Sequence, residues 1–146
     1  MEIIKGILSN KTITVPLIAW FVAQSLKVVN VILFEQKVDF TRFVGSGGMP
    51  SSHSSYIVSL ATVVGKIQGV NSTQFGISVA VAAIVMYDAA GIRRAAGKQA
   101  KVLNKLIFSH QDKEHFDENL KELLGHSPLE VFMGALLGIL LGLAFA

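Results

Sequence analysis

The chain contains no cysteine and few charged residues. Without cysteine it cannot carry a disulfide framework, a thiolate metal site or a cysteine nucleophile. Charged residues make up only 16% of the 146 residues, whereas an average soluble domain has roughly 25%. Hydrophobic residues reach 51%, and the mean hydropathy is +0.54. This composition argues against a soluble domain and predicts that lipid surrounds much of the surface.

Long apolar stretches dominate the sequence. A membrane helix needs ~20 mostly apolar residues, and four stretches approach that length: Ile13–Phe34, Pro50–Gly69, Gln74–Ala90 and Pro128–Ala146. A second domain would need roughly 100 further residues. We therefore expect one all-α integral membrane domain over residues 1–146, a polytopic bundle of about four transmembrane helices. A short helix from Glu2 to Leu8 is a further candidate element.

Two polar connections hold most of the charge, at residues 35–49 and 93–127. Within the second, Asp112–Leu124 has apolar residues at helical spacing, which predicts a cytoplasmic amphipathic helix on the membrane surface. If the four stretches alternate in direction, both connections lie on one side, and Lys5 and Lys11 lie on the other. The positive-inside tendency then places the charged side in the cytoplasm of a multi-pass cell-membrane protein.

The net charge of +3 does not indicate a nucleic-acid partner. The basic residues lie between apolar blocks and form no single dense patch. We therefore expect membrane lipids, and no nucleic acid, as partners.

A glycine-rich loop, Gly45–Gly48, leads through Pro50 into Ser51, Ser52 and His53 at the start of the second apolar stretch. Free backbone N–H groups and the positive end of a helix dipole together suit a phosphate. His53 then lies at the rim of an anion site. Alternatively, Ser51 or Ser52 only caps the helix, and His53 is an interfacial residue.

The fourth stretch begins with His126 and Glu130, which are four residues apart and share a helix face. A carboxylate bound to one imidazole nitrogen would orient the ring and make the other nitrogen more nucleophilic. Ser127, Pro128 and Glu130 also fit a capping box. Because both roles use one carboxylate, we expect each to hold only in part.

Small residues continue along the same face of the fourth stretch at Gly134, Gly138 and Gly142. Glycines at this four-residue step allow another helix to approach closely. We expect this face to pack against the bundle. The alternative is a homo-oligomer that forms through these three glycines.

Four further ionisable residues flank or interrupt the apolar stretches. Lys27 lies inside the first one, and an ionisable residue within a span is costly and usually functional. Arg93 and Arg94 close the third stretch, where they either anchor it at the interface or clamp phosphate oxygens. Asp88 would then hold an arginine or lysine in place.

The segments Pro50-Ser51-Ser52-His53 and His126-Ser127-Pro128-Leu129-Glu130, with an arginine between them, resemble the type 2 phosphatidic acid phosphatase superfamily, which includes vanadium haloperoxidases. More closely, Gly47–Ser54, Tyr87–Asn104 and Gly125–Gly134 resemble its divergent membrane branch, called acid phosphatase/vanadium-dependent haloperoxidase-related. The resemblance covers nearly the whole chain.

The resemblance implies a metal-independent hydrolase that needs no cofactor. His126 would be the nucleophile that forms a phosphohistidine, and His53 would be the general acid. Glu130 would replace the aspartate of the superfamily, and Ser51 with adjacent backbone, including Ser52 and Gly48, would hold phosphate oxygens.

The chain also departs from the superfamily pattern. Met49 stands where the superfamily has an arginine before the proline, and Ser52 replaces a glycine. No lysine here has an arginine seven residues later, so Lys27 and Arg42 are the candidates for the first motif.

Three hypotheses follow. The first is a lipid phosphatase of phospholipid metabolism that hydrolyses a phosphomonoester or a diphosphate, such as phosphatidate, phosphatidylglycerol phosphate or a prenyl diphosphate. The second is a non-catalytic or structural membrane protein that binds anionic lipid. The third is a metal site or ion pathway that uses His53, His126, Glu130 and Asp88.

Overall fold

The computed structural model describes residues 1–35, 48–109, 120 and 125–146. Six helices account for almost all of these residues: α1 (Glu2–Ser9), α2 (Lys11–Glu35), α3 (Ser52–Gln68), α4 (Thr73–Ala90), α5 (Ile92–Ser109) and α6 (Pro128–Phe145). The expected all-α fold is confirmed, and so is the short amino-terminal helix.

Three stretches among the described residues are long and apolar enough to cross a membrane: Lys11–Leu33, Thr73–Leu106 and Pro128–Phe145. They correspond to three of the four predicted spans. Helix α3 has only 17 residues, about 26 Å at 1.5 Å per residue, against a hydrocarbon core of ~30 Å. The predicted count of four spans is therefore not reached by length and composition alone.

Helix α3 is the central helix of the bundle, packed against α2, α4 and α6. This position explains its sequence, because serines that would be costly in lipid are buried here against protein. Ser55 donates a hydrogen bond across to the carbonyl oxygen of Ala19 in α2, at 3.2 Å. Ser59 bonds within its own helix, to the carbonyl oxygen of Tyr56 at 2.8 Å.

The glycine face of α6 lies against α3. A Cβ atom added to Gly138 would lie 2.6 Å from the carbonyl oxygen of Ser55, and one added to Gly142 would lie 2.7 Å from Cβ of Thr62. Real Cβ atoms do not come this close, so the two helices approach to this distance only because the residues are glycines. This face is therefore filled by α3 of the same chain. The expected packing of these glycines within the bundle is confirmed, and the possible homo-oligomer stays a prediction.

Helices α2 and α4 end, and α3 and α6 begin, at one end of the bundle. Three hydrogen bonds join the elements there, each at 2.9 Å. Asn30 Nδ2 donates to the carbonyl oxygen of Met49, and the backbone N–H groups of Ser51 and His126 donate to the carbonyl oxygens of Glu130 and Ala89. The candidate site residues are brought together at this end.

The opposite end holds two lysines that bond to the last turn of α6. Lys11 Nζ donates to the carbonyl oxygen of Ala146 at 3.1 Å, and Lys66 Nζ donates to that of Leu143 at 2.9 Å. The sequence analysis places Lys5 and Lys11 on this side of the membrane, and the structure adds Lys66 to them.

Helix α5 is the main element that the sequence interpretation missed. It follows α4 after Gly91 and occupies a segment for which the sequence predicts a polar connection. Alanines at 95, 96 and 100 favour a helix here. The predicted amphipathic helix at Asp112–Leu124 lies outside the described residues except for Leu120. Asn104 holds Leu120 by two backbone hydrogen bonds, of 2.9 and 3.1 Å.

Candidate active site

The start of α3 is organised by a serine cap. Ser51 is fully buried, and its hydroxyl accepts hydrogen bonds from the N–H and the hydroxyl of Ser54, at 3.3 and 3.0 Å. The capping interpretation therefore holds for Ser51. His53, two residues later, lies about half a turn around the helix from Ser51 and is exposed.

Lys27 reaches the start of α3 from the middle of α2. Its Nζ donates to Ser52 Oγ at 3.3 Å, and the two residues are only 4% and 1% exposed. Gly48 lies over the aliphatic part of Lys27, with a positive φ of +83° that favours glycine. Gly48, the intramembrane Lys27 and the start of α3 thus meet at one place, as the phosphate-site hypothesis requires.

A single carboxylate oxygen of Glu130 serves two purposes. Oε2 lies 3.1 Å from His126 Nδ1 and also accepts the backbone N–H of Ser127 at 2.8 Å. The Ser127 hydroxyl in turn accepts the N–H of Glu130 at 3.3 Å and completes the capping box. The expectation that the two roles compete was wrong, because a carboxylate oxygen can accept two hydrogen bonds.

The other ring nitrogen of His126 is buried and free. Nε2 has no hydrogen-bond partner within the described part of the chain. His126 also lines a small cleft, together with His53, Val85, Asp88, Ala89, Arg93 and Gly125. The rings of His53 and His126 lie with their centroids 6.4 Å apart. An imidazole nitrogen without a hydrogen-bond partner, on a residue that lines a cleft, is the feature expected of a nucleophile.

Burial lowers the pKa of His126 below the ordinary histidine value. The nearby Lys27 lowers this pKa further, whereas Glu130 opposes both effects. His126 therefore remains neutral, with a free lone pair, at a lower pH than an exposed histidine would.

The two adjacent arginines have different environments. Arg93 lines the cleft, and its Nε bonds to Asp88 Oδ2 at 2.7 Å with 53% of its side chain exposed. Arg94 is exposed and is not among the residues that line the cleft. The predicted pairing of Asp88 with a basic residue is thus present, and its partner is Arg93. Arg42 lies outside the described residues.

Gly125 lines the cleft, although the sequence analysis assigns it no role at the site. Its φ is +83°, and a Cβ atom there would overlap the backbone nitrogen of Arg94 and lie 2.8 Å from the carbonyl carbon of Arg93. The chain just before His126 is therefore pressed against the first turn of α5. This contact brings Arg93 and His126 into one cleft, and a single sequence carries no signal for it.

Comparison with known proteins supports a family assignment. A family model described as "Divergent PAP2 family" matches residues 8–141, a range that contains every candidate site residue. The chain is 40% identical over 152 residues to "Uncharacterized membrane protein YuiD" of Bacillus subtilis (strain 168), with 96% of each chain covered. No solved structure matches. These matches do not address the haloperoxidase relation, which stays a prediction.

Proposed function

Since this chain belongs to the Divergent PAP2 family, we propose that it is a membrane lipid phosphatase that uses a histidine nucleophile. One observation carries the proposal. Among the described residues, His126 is held at Nδ1 by Glu130 and has no hydrogen-bond partner at Nε2, and the residue lines a cleft together with His53. The substrate class is a lipid phosphomonoester or diphosphate.

The tautomer of His126 follows from its hydrogen bond. An ionised Glu130 can only accept, so the Nδ1 proton of the neutral ring points to Oε2 and the lone pair is on Nε2. Nε2 attacks phosphorus, the P–N bond forms, and the bond from phosphorus to the leaving oxygen breaks. Glu130 then stabilises the positive charge that develops on the ring.

His53 completes the cycle as acid and then as base. Protonated His53 donates its proton to the leaving oxygen of the lipid, which departs as an alcohol or a lipid monophosphate. Neutral His53 next takes a proton from water, whose oxygen attacks the phosphohistidine. The P–N bond breaks, inorganic phosphate is released, and both histidines return to their starting states.

Charge on the phosphoryl oxygens needs neutralisation, because phosphoryl transfer depends mainly on positioning and electrostatics. Lys27, the N-terminus of α3 with Ser52, and the Gly48 backbone would supply it on one side. On the other side of the phosphate, Arg93 would neutralise charge after its guanidinium leaves Asp88 and binds a phosphoryl oxygen. We keep Arg93 rather than Arg94 for this role because only Arg93 lines the cleft.

The metal-site hypothesis has less support. Within residues 1–35, 48–109, 120 and 125–146, no group of three histidine, aspartate or glutamate side chains is placed to hold a metal ion. His126 and Glu130 bond to each other, and Asp88 bonds to Arg93.

We propose that the active face is on the cytoplasmic side. The two connections between helix ends on the site side, residues 36–51 and 91–127, hold most of the basic residues of the chain, whereas Lys5, Lys11 and Lys66 lie near the other end. The excess of cations at the site end indicates the cytoplasmic side.

A groove beside the site suits the lipid chain. It runs between α2 and α6 and is lined by Leu26, Asn30, Met49, Pro50, Met133, Leu136, Leu137 and Leu140. Met49 and Pro50 lead directly into Ser51 at the α3 start, so a lipid with its phosphate there has an apolar surface for its chain.

Filling this groove should impair long-chain substrates selectively. We expect Leu137→Trp to raise KM for a long-chain phosphatidate about tenfold, since losing roughly 1.4 kcal/mol of chain binding is a factor of ten. The rate with a short-chain, water-soluble phosphate should be nearly unchanged. Ile139→Trp is the matched control, because Ile139 is exposed on α6 and does not line the groove. Equal effects of both variants on both substrates would remove the groove from the proposal.

The proposed function is tested by phosphate release from a panel of lipid phosphates. The protein, purified in detergent, is assayed with phosphatidate, phosphatidylglycerol phosphate and a prenyl diphosphate in the presence of a chelator. We expect release from at least one lipid that resists the chelator and is inhibited by vanadate, which mimics the phosphoryl group in transit. Failure to release phosphate from every lipid would favour the alternative of a non-catalytic protein that binds anionic lipid.

A further inference from the structure

Helix α5 carries a stripe of cations that the proposed chemistry does not use. Arg94, Lys98, Lys101 and Lys105 follow one another in steps of four, three and four residues, which places them on one side of the helix. All four are exposed. No aspartate or glutamate occurs between Ile92 and Ser109, so these charges have no acidic neighbour on their own helix.

A second face of α5 is apolar and equally exposed. Ile92 is 63% exposed, Val102 58%, Leu103 48% and Leu106 53%. Four exposed large apolar side chains on one face of a helix would be unfavourable in water. Such patches mark surfaces that contact membranes or other proteins.

The third face of α5 is buried. Gly97, Ala100 and Asn104 are buried, and Asn104 holds the backbone of Leu120 through its side-chain oxygen and nitrogen. The cationic and apolar faces are therefore the two exposed faces of α5.

The cationic and apolar faces meet at a shallow hollow. Its lining consists of Lys98, Gln99, Val102 and Leu103. A cation at the edge of an apolar surface matches the chemistry of an anionic lipid, whose headgroup pairs with the lysine while its chain covers the leucine and valine.

We infer that α5 is an interfacial helix that binds anionic phospholipids of the surrounding bilayer. The occupant is a lipid rather than a protein because α4, which can cross the membrane, leads into α5 after the single residue Gly91. The helix begins beside Arg93, which lines the cleft. This inference goes beyond the proposed function and does not require catalysis.

The test compares two triple variants with the same change of charge. Lys98→Gln, Lys101→Gln and Lys105→Gln together remove three charges from α5, and Lys5→Gln, Lys11→Gln and Lys66→Gln remove three near the opposite end. Each protein is reconstituted in phosphatidylcholine vesicles that contain trace spin-labelled phosphatidylglycerol or phosphatidylcholine. Electron paramagnetic resonance then measures the fraction of each labelled lipid that the protein immobilises.

We expect the wild type to prefer phosphatidylglycerol severalfold. The preference should persist in the control triple, largely disappear in the α5 triple, and weaken in about 1 M salt, where charges are screened beyond ~3 Å. No preference in the wild type, or equal losses in both triples, would overturn the inference and favour a protein partner for α5. Because the readout is lipid binding, its failure is distinguishable from failure of the phosphatase proposal.

Discussion

Replacing His126 by alanine is expected to abolish phosphate release, with kcat/KM lowered by at least about 10³-fold. The substitution removes the Nε2 lone pair that attacks phosphorus and leaves Glu130 with only its capping role. The measurement is phosphate release from the best lipid of the panel, together with acid-labile radioactive phosphate bound to the protein after a rapid quench. The wild type should show the bound phosphate, and the variant should show none.

His53→Ala separates the two histidine roles. With an activated leaving group such as p-nitrophenolate, which needs no general acid, this variant should still form the phosphohistidine and then hydrolyse it slowly. His126→Ala should fail with activated and lipid substrates alike, while its melting temperature stays close to that of the wild type. Phosphate release that survives in His126→Ala would contradict the proposed mechanism.

Gly138→Ala is expected to destabilise the protein by about 2 kcal/mol, although alanine is normally the better helix former. The added methyl group would lie 2.6 Å from the carbonyl oxygen of Ser55, so α3 and α6 must separate. Because Ser51 N–H bonds to the carbonyl oxygen of Glu130, this separation should also disturb the site. Thermal unfolding in detergent, followed by circular dichroism, measures the stability change.

Gly76→Ala provides the matched control. Gly76 lies in α4 with no atom within 4 Å of an added Cβ, so alanine there should leave the melting temperature unchanged or slightly higher. If both variants melted at the wild-type temperature, the close contact between α3 and α6 would not contribute to stability as we describe.

Much of the fold follows from local sequence alone. Long apolar runs bounded by polar residues predicted α2, α4 and α6, because the bilayer requires a minimum apolar length and internally satisfied backbone. The capping box at Ser127 was visible for a similar reason, since it involves residues only three apart. The same locality made the pairing of His126 with Glu130 predictable, because residues four apart share a helix face.

Some outcomes depended on contacts between distant parts of the chain. The sequence does not show what covers the serines of α3. In the structure, glycines of α6 lie against them, some 80 residues later in the sequence. Helix α5 was not predicted because its charged residues favoured a polar connection. Its buried face includes Asn104, which contacts Leu120. The choice of Arg93 over Arg94, and the position of Gly125 against both, likewise needed the tertiary structure.

The sequence by itself thus determined the membrane helices, the helix caps and the chemical types of the candidate site residues, because these depend on composition and on neighbours within one helical turn. Only the tertiary structure decided which residues meet in the cleft and which helix face is buried, because those contacts join residues that are far apart in the chain. It also left Nε2 of His126 buried, with no hydrogen-bond partner among the residues that the structure describes, which is the observation that the proposed function depends on.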